Sequence, residues 1–314
     1  MRPRRILIGG LPYFGRMLAG LLTNEGWQAR YLESARGRPG GWMATAAAVA
    51  RTDLVYLVGG QIERWSRPDW LTRAVRRPIV MHWLGSDITY ALAAAARGRA
   101  SSRLVTRPTH WTEVVWTADE LRPLGIRAEV VALTSTRFVR EAQPLPDTFT
   151  VLTYLPVARP DFYGRALVMR LAEALPEVRF IVVGSASAVG EGLVPSHVPA
   201  NVEFLSWVED MAPVYARSTV LLRMAEHDGL SFMVLEALAA GRHVIWNHPL
   251  ECVLYAADEA QARDRLELLL GEHRAGPLAL NASGRRSVME THSPERVRDE
   301  ILTRFERLLG EQSR

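Results

Sequence analysis

The chain has 314 residues, 48% of them hydrophobic, which is enough for two domains with cores of their own. Its single cysteine, Cys252, excludes an internal disulfide and any metal site built from several cysteines. All 38 basic residues are arginines, so lysine chemistry such as a Schiff base is excluded and any permanent cation that meets a phosphate must be a guanidinium.

The charge is distributed unevenly. Residues 1–147 carry 21 Arg and 12 acidic residues, a net charge of +9, whereas residues 148–314 carry 17 and 22, a net charge of −5. The first half therefore either meets something anionic, such as a membrane surface or a phosphorylated acceptor, or is a solvated basic face. No apolar run is long enough for a signal peptide or a membrane span, so we expect a cytoplasmic protein, peripheral at the inner membrane face if the basic half binds lipid.

The first half alternates between strand and helix patterns. Unbroken apolar strands between helices predict a parallel sheet that is covered on both faces. The predicted strands are Arg5–Gly9, Leu54–Val58, Pro78–His82, Glu113–Val115 and Ala128–Val131, and the predicted helices are Tyr13–Leu22 and Ile88–Ala96. A polar stretch with two prolines, Glu141–Asp147, follows and predicts a linker, so we place the domain boundary between residues 145 and 146.

The pattern then starts again in the second half. Two consecutive α/β halves predict an α/β fold with two Rossmann-like domains whose parallel sheets face each other across a cleft. The predicted strands are Thr150–Leu155, Phe180–Val183, Val202–Leu205, Val220–Leu222 and His243–Trp246, and the predicted helices are Arg165–Leu175, Asp210–Ala216, Asp258–Leu270 and Pro294–Leu309.

Two carboxylates, Asp228 and Glu236, stand with seven residues between them. The first opens a loop formed by Gly229, Leu230 and Ser231, and the second lies about two turns into the following helix. A helix N-terminus offers unpaired N–H groups and a positive dipole end, so this loop suits an anion. Glu236 lies too far along the helix to be only a cap and can accept hydrogen bonds from hydroxyls. Together these features predict a sugar-nucleotide site.

The run from Asp228 to Trp246 resembles the acid–seven–acid signature of retaining glycosyltransferases of family 4, which have the GT-B fold. The resemblance implies that Asp228 meets the hydroxyls of the transferred sugar, that Glu236 meets the nucleotide ribose, and that the amides of residues 229–231 meet the diphosphate. The family usually has Glu at the first position, so Asp228 is one methylene shorter. The resemblance also implies an acceptor held mainly by the first domain and a final helix that returns to that domain.

The loop Gly9–Gly15 follows the first predicted strand and should line the cleft. By the resemblance, its Gly10 and Gly15 approach the donor phosphates and the acceptor. One alternative is a plain tight turn between strand and helix. Another is a dinucleotide site of a nucleotide-dependent oxidoreductase with Glu33 on the ribose, although the loop lacks the G-x-G-x-x-G pattern.

His82 ends a buried predicted strand, and we predict that it faces the cleft. By the resemblance, its imidazole lies near the transferred sugar and the diphosphate, where it can donate a hydrogen bond or hold the acceptor hydroxyl. The alternative is a buried histidine bonded to a backbone carbonyl. Asp87 either joins the substrate site or caps the helix that follows it.

Relatives in this family usually carry an Arg and a Lys after the first strand of the second domain, where they neutralise the leaving diphosphate. Here Arg159 is the first candidate for that role, Arg165 the second and Arg223 the third; each could instead be a surface charge. Gly184, which ends a predicted strand, is a further substrate-binding candidate. Because the Lys is missing, the main alternative is a non-catalytic GT-B module that binds a nucleotide sugar or a glycan.

The sequence contains no D-x-D motif and no cluster with metal-ligand spacing, so we predict metal-independent transfer without a cofactor. It also lacks a nucleic-acid recognition motif. Two tryptophans and five arginines of the first half suit a membrane interface, or alternatively a solvated helix whose Trp side chains pack inward. They are Trp65, Trp70, Arg64, Arg67, Arg73, Arg76 and Arg77.

Overall fold

The structure is a computed structural model that describes residues 2–32, 47–184 and 198–311. It divides into two compact units, one formed by Met1–Thr136 with Pro294–Arg314 and the other by Arg137–Ser293. The boundary thus precedes residue 145, because the predicted linker bonds into the second unit. There Arg242 donates to the carbonyls of Gln143 and Pro144, at 2.5 and 3.1 Å.

The first unit contains a six-stranded sheet in the order β2-β1-β3-β4-β5-β6, with every neighbouring pair parallel. Its strands are β1 Arg4–Gly10, β2 Trp27–Tyr31, β3 Leu54–Val58, β4 Ile79–Trp83, β5 Thr109–Thr112 and β6 Glu129–Val130. The helices that follow them in the described residues are α1 Pro12–Leu22, α2 Arg67–Ala74, α3 Ser86–Ala96, α4 Ser102–Thr106 and α5 Val115–Leu121.

The second unit contains another six-stranded parallel sheet, in the order β12-β11-β10-β7-β8-β9. Its strands are β7 Thr150–Tyr154, β8 Arg179–Val183, β9 Val202–Leu205, β10 Val220–Arg223, β11 His243–Trp246 and β12 Leu254–Tyr255. The remaining helices are α6 Arg165–Ala174, α7 Ala212–Ala216, α8 Phe232–Ala239, α9 Glu259–Ala275, α10 Ala282–Thr291 and α11 Pro294–Glu311, the last of which belongs to the first unit.

The central strands of each sheet are buried on both faces, as the unbroken apolar strands predict. All five residues of β3 and all five of β4 are buried. In the first unit, Phe305 of α11 stacks on Trp111 with ring centroids 5.3 Å apart and also contacts Tyr56. In the described residues no helix is long and apolar enough to cross a membrane. The predicted α/β class with two parallel sheets is confirmed.

One strand prediction is wrong, and some elements were not predicted. Glu113–Val115 is not a strand, since β5 ends at Thr112 and Val115 already begins α5. The segment of β5 is more polar than the usual buried strand, yet its side chains are paired inside the core. Trp83 Nε1 donates to His110 Nδ1 at 3.1 Å, for example. Strands β2 and β12 and helices α4, α5 and α10 also went unpredicted, and α2 was predicted only as an alternative.

Strand order points to a particular edge of each sheet. In the second unit the order reverses between β7 and β10, and in the first between β1 and β3. In open α/β sheets ligands bind in the crevice outside the carboxyl ends of the strands at such a reversal. The loops after β7 and β10 are therefore the first place to look for a site in the second unit.

Candidate functional site

The loops after β7 and β10 lie directly against each other. Glu226 N donates to Phe162 O at 2.9 Å, which joins the two loops through their backbones. Gly164 has φ +80, and a Cβ there would stand 2.8 Å from Met224 O. Only glycine permits both this left-handed turn and this close approach. The two loops thus form one surface at the predicted crevice.

An ion pair lies at the end of β10. Arg223 Nε donates to Asp228 Oδ2 at 2.6 Å, and the two side chains are only 10% and 14% exposed. The guanidinium carbon of Arg223 stands 5.1 Å from the ring centroid of Tyr163. Burial lowers the pKa of Arg223, but the Asp228 carboxylate outweighs this and holds it above its ordinary value. The guanidinium of Arg223 therefore stays charged, and the two side chains fix each other's orientation.

The second signature carboxylate lies inside α8. Glu236 is 5% exposed, and its Oε2 accepts a hydrogen bond of 2.8 Å from the hydroxyl of Tyr215, a residue of α7. A buried carboxylate is costly unless hydrogen bonds satisfy it. The Tyr215 hydroxyl thus stabilises the carboxylate and orients it on the second turn of the helix.

Between the two acids lies the start of α8. Ser231 occupies the N-cap position, but its side chain makes no capping hydrogen bond. Gly229, Leu230 and Ser231 are all buried. The Ser231 hydroxyl thus does not compete for an amide of the first turn, and the positive end of the helix dipole favours an anion there.

The two arginines predicted after β7 have different surroundings. Arg159 is exposed, and its guanidinium carbon lies 4.1 Å from the ring centroid of Phe162. Arg165 binds both carboxylate oxygens of Asp161, through Nε at 2.9 Å and Nη2 at 3.1 Å. Both arginines flank Phe162, which bonds to the β10 loop, so they border the same crevice as Arg223. The structure shows Arg165 already engaged by a carboxylate.

Gly184 and two glycines of the first unit have conformational or packing roles. Gly184 directly follows β8 and has φ +96, and a Cβ there would lie 2.9 Å from the ring of Tyr154. Gly10 has φ +107, and a Cβ there would clash with the backbone carbonyl of Val58. Gly15 lies within α1, where a Cβ would clash with the ring of Tyr31. Glu33, the proposed acid of a dinucleotide site, lies outside the described residues.

His82 lies in the core of the first unit, whereas the sequence predicted that it faces the cleft and left a buried histidine as the alternative. It is fully buried, with its Nδ1 2.7 Å from the hydroxyl of Tyr56 and its ring against Trp111. Burial lowers the pKa of His82 to about 3. The imidazole is therefore neutral at physiological pH, and its bonded partner is a tyrosine hydroxyl. Tyr56 of β3 and Trp111 of β5 pack their rings against the imidazole. The surroundings of His82 therefore fit packing better than proton transfer.

Asp87 joins two strand-end loops of the first unit. It accepts from Gly60 N at 2.5 Å, after β3, and from Leu84 N at 3.1 Å, after β4. Burial raises the pKa of Asp87, while these backbone donors favour its charged form. The N-cap of α3 is Gly85 rather than Asp87. We therefore assign Asp87 to the loop connection.

Three residues of the site escaped the sequence analysis. Tyr215 and Tyr163 contact the two site side chains Glu236 and Arg223 but stand far from the signature in the sequence. Only Gly164 could have been identified from the sequence, because a glycine directly before a predicted helix indicates a left-handed turn.

Part of the second unit matches a known protein family. Residues 149–252, about a third of the chain, match the family described as "Glycosyl transferases group 1". This range includes both signature acids, the loops after β7 and β10, and Tyr215. No curated protein sequence matches the chain at a significant level.

Solved structures resemble the chain over most of its length. Sucrose-phosphate synthase from Thermosynechococcus elongatus superposes with a TM-score of 0.74 at 13% identity, covering 99% of this chain and 100% of the other. Its fold is GT-B. The Anabaena protein HepE in complex with UDP-glucose gives a TM-score of 0.67 at 10% identity, covering 96% and 99%.

A further match is longer than this chain. The pneumococcal O-GlcNAc transferase GtfA, solved with UDP and GlcNAc, gives a TM-score of 0.59 at 13% identity. That match covers 87% of this chain but only 60% of GtfA. At such identities the likeness shows a shared fold, so the chemistry must be argued from this chain's own residues.

Proposed function

We propose that this protein is a glycosyltransferase that moves a sugar from a nucleotide diphosphate sugar to a lipid-linked or glycan acceptor. The observation that carries the proposal is the arrangement at the strand-order reversal of the second unit. The ion pair of Arg223 and Asp228 and the buried Glu236 flank the N-terminus of α8 there. An anion site flanked by carboxylates suits a nucleotide sugar, since phosphate and hydroxyl groups need opposite kinds of partner.

Each group has a separate task in donor binding. The N-terminus of α8 and the amides of residues 229–231 hold the diphosphate. Glu236, oriented by the Tyr215 hydroxyl, accepts hydrogen bonds from the ribose. Asp228, oriented by Arg223, accepts hydrogen bonds from the transferred sugar. A preorganised carboxylate loses less entropy on binding, which makes these orienting contacts useful for affinity.

The chemical step breaks the bond between the sugar's anomeric carbon and the diphosphate oxygen, and an acceptor hydroxyl oxygen forms the new bond. The leaving diphosphate carries the bonding electron pair away and gains negative charge, while the acceptor proton passes to it or to water. The protein lowers the barrier by stabilising that charge with prearranged dipoles and cations. We assign this task to the α8 N-terminus, Arg159 and Arg165, and we propose retention of anomeric configuration.

The transfer is proposed to need neither a metal ion nor a cofactor. Guanidinium groups and a helix dipole can together supply the positive field that a divalent cation supplies elsewhere. Among the described residues, no three His, Cys, Asp or Glu side chains are grouped closely enough to hold a metal ion.

A second candidate function is nucleotide-sugar binding without transfer. Two predicted diphosphate cations are already paired with carboxylates, Arg165 with Asp161 and Arg223 with Asp228. A guanidinium that shares its charge with a carboxylate stabilises a leaving group less than an unpaired one. If these pairs persist with donor bound, the chain would bind the nucleotide sugar and release it unchanged.

A ligand screen followed by a turnover assay tests the proposal. We expect UDP or GDP to raise the melting temperature and NAD to leave it unchanged, because saturation at 100 times Kd stabilises by about 2.7 kcal/mol. Release of nucleoside diphosphate from a nucleotide sugar, dependent on an added acceptor, would establish transfer. Stabilisation without turnover across donors and acceptors would identify the binding module, and stabilisation by NAD alone would favour an oxidoreductase.

A further inference from the structure

A group of exposed tryptophans and arginines lies at the start of α2 in the first unit. Trp65 is 66% exposed and Trp70 is 54% exposed, with their ring centroids 5.7 Å apart. Neither ring packs inward, which removes the alternative of a helix with buried Trp side chains. We call the group the Trp–Arg patch; it consists of Trp65, Trp70, Arg64, Arg67, Arg73, Arg76 and Arg77, whose arginines are all exposed.

The backbone of Trp65 is strained although its side chain is exposed. Its φ is 62°, in the left-handed region that bulky side chains rarely adopt. The exposed ring gains little from burial within the unit. Strain of this kind persists only where the surroundings enforce it, and it is commonest at functional positions. Burial of the Trp65 ring therefore does not explain its strained backbone, and another contact must hold it.

The enforcing group is a buried carboxylate. Asp69 is fully buried and accepts hydrogen bonds from Trp65 N at 3.1 Å, from Ser101 Oγ at 2.6 Å and from Arg73 Nη2 at 3.1 Å. The first bond holds the strained backbone of Trp65, and the third fixes Arg73. The guanidinium carbon of Arg73 in turn lies 5.0 Å from the Trp65 ring centroid and 5.5 Å from that of Trp70. Asp69 and Arg73 thus fix the positions of both Trp rings.

The surroundings of the rings are positively charged. Asp69 is the only acid between residues 64 and 77, and Arg73 already neutralises it. The adjacent Glu63 pairs with Arg99 at 3.5 Å. Arg64, Arg76 and Arg77 add three further positive charges around the two exposed rings. This charge complements a negatively charged surface that also has an apolar layer.

We propose that the Trp–Arg patch docks the first unit on an anionic lipid surface. Tryptophan rings favour the boundary between headgroups and acyl chains, and guanidinium groups bind lipid phosphates. Rigidly held rings lose little conformational entropy when they insert. Docking needs no sugar donor, so it goes beyond the proposed transfer and can succeed or fail independently of it.

Cosedimentation of the full chain with vesicles tests this proposal. We expect binding to phosphatidylglycerol-containing vesicles, little binding to pure phosphatidylcholine, and release by salt as the Debye length falls from about 10 Å at 0.1 M to about 3 Å at 1 M. The variant Arg76→Gln/Arg77→Gln should bind about 25-fold more weakly, since each arginine near an anionic surface contributes about fivefold. Trp65→Asn/Trp70→Gln should lose at least about tenfold, and Asn tolerates the left-handed backbone of residue 65.

Matched variants in the second unit distinguish the patch from general charge and hydrophobicity. Trp207→Gln removes a Trp that is 65% exposed, and Arg265→Gln/Arg286→Gln removes two exposed charges. Both should bind vesicles like the wild type, and unchanged melting temperatures would show that all variants fold. Equal losses in the matched variants, or equal binding to neutral vesicles, would overturn the proposal. So would patch variants that lose affinity for a soluble oligosaccharide while their vesicle binding is unchanged.

Discussion

The two parallel sheets reverse their strand order in the same way but differ in the chemistry of the strand ends. In the second unit, β10 ends in the ion pair of Arg223 and Asp228, with side chains 10% and 14% exposed. In the first unit, β4 carries His82 near its end, fully buried and bonded to Tyr56. At one strand end two nearly buried side chains form an ion pair, and at the other a neutral imidazole lies in an aromatic core.

The difference shows that strand order locates a crevice without determining its chemistry. A charged pair at a strand end must stay hydrated or paired, because burial of an isolated ion is prohibitive. A histidine can instead enter the core as a neutral ring. The second unit therefore retains groups that can bind a charged ligand on the strand beside the reversal, whereas in the first unit the end of β4, one strand further from the reversal, serves packing. Four predictions test this comparison.

The largest expected effect concerns acid stability. Burial lowers the pKa of His82 to about 3 and that of His110 to about 4. The unfolded chain binds these protons below its ordinary histidine pKa near 6.5 and the folded chain does not, so stability falls as pH drops from about 6.5 towards 4. The two residues together contribute a slope of up to about 2.7 kcal/mol per pH unit. Urea denaturation at a series of pH values measures the free energy of unfolding.

The variant His82→Gln/His110→Gln removes both titrating rings but keeps hydrogen-bond acceptors. We expect its stability to vary less with pH than that of the wild type over the same range. His248→Gln/His292→Gln, at two half-exposed positions, is the control and should retain the wild-type slope. Identical slopes in all three proteins would show that the buried rings do not govern acid stability.

The second effect concerns the ion pair. Asp228→Ala should destabilise the second unit by about 3–5 kcal/mol, because it leaves the nearly buried Arg223 charge unpaired. Asp161→Ala breaks the pair with Arg165, whose side chains are 70% and 30% exposed, and should cost at most about 1 kcal/mol. Denaturant unfolding of both variants measures the contrast. Equal costs would mean that the two pairs are equally hydrated.

The same ion pair can be tested for its role in transfer. Arg223→Gln/Asp228→Asn removes both charges, so most of the lost stability should return while sugar transfer remains impaired. Diphosphate affinity should stay nearly intact in Asp228→Ala, since we assign that residue to the sugar. A double variant with normal transfer would remove the pair from the site.

The sequence predicted the fold more completely than the contacts. Apolar strands such as Leu54–Val58 have a pattern that a doubly covered parallel sheet explains, so their bounds agree with the structure. The strand Thr109–Thr112 was missed because its polar side chains form hydrogen bonds inside the core, and a local sequence pattern does not show such bonds. The sequence revealed the two signature acids, Asp228 and Glu236, through the spacing between them. Their pairing with Arg223 and Tyr215 was not, because side-chain pairing depends on how α7, α8 and β10 pack.

The third effect concerns Glu236, the carboxylate assigned to the nucleotide. Glu236→Ala should weaken nucleoside diphosphate binding by about 1–3 kcal/mol, the range for losing hydrogen bonds to a charged group. Tyr215→Phe keeps the ring but removes the hydroxyl that bonds Glu236, and should weaken binding by about 0.5–1.5 kcal/mol. Titration calorimetry measures both affinities.

Unchanged affinity in Glu236→Ala would take this residue out of the site. Equal losses of nucleoside diphosphate affinity in Glu236→Ala and Asp228→Ala would refute our division of roles.

The last prediction is that removing divalent metal ions has no effect on the rate of sugar transfer. If guanidinium groups and the α8 N-terminus supply the positive field at the second unit's strand ends, EDTA should leave the rate of sugar transfer unchanged. The sequence lacks a D-x-D motif, which motivates this prediction. The rate is measured after dialysis against EDTA and again after adding magnesium or manganese. Arg159→Gln serves as the comparison, because a site that relies on guanidinium groups should lose rate on that change while remaining insensitive to chelator. Activity abolished by EDTA and restored by a divalent ion would show that a metal ion, rather than arginine and the helix dipole, neutralises the leaving diphosphate.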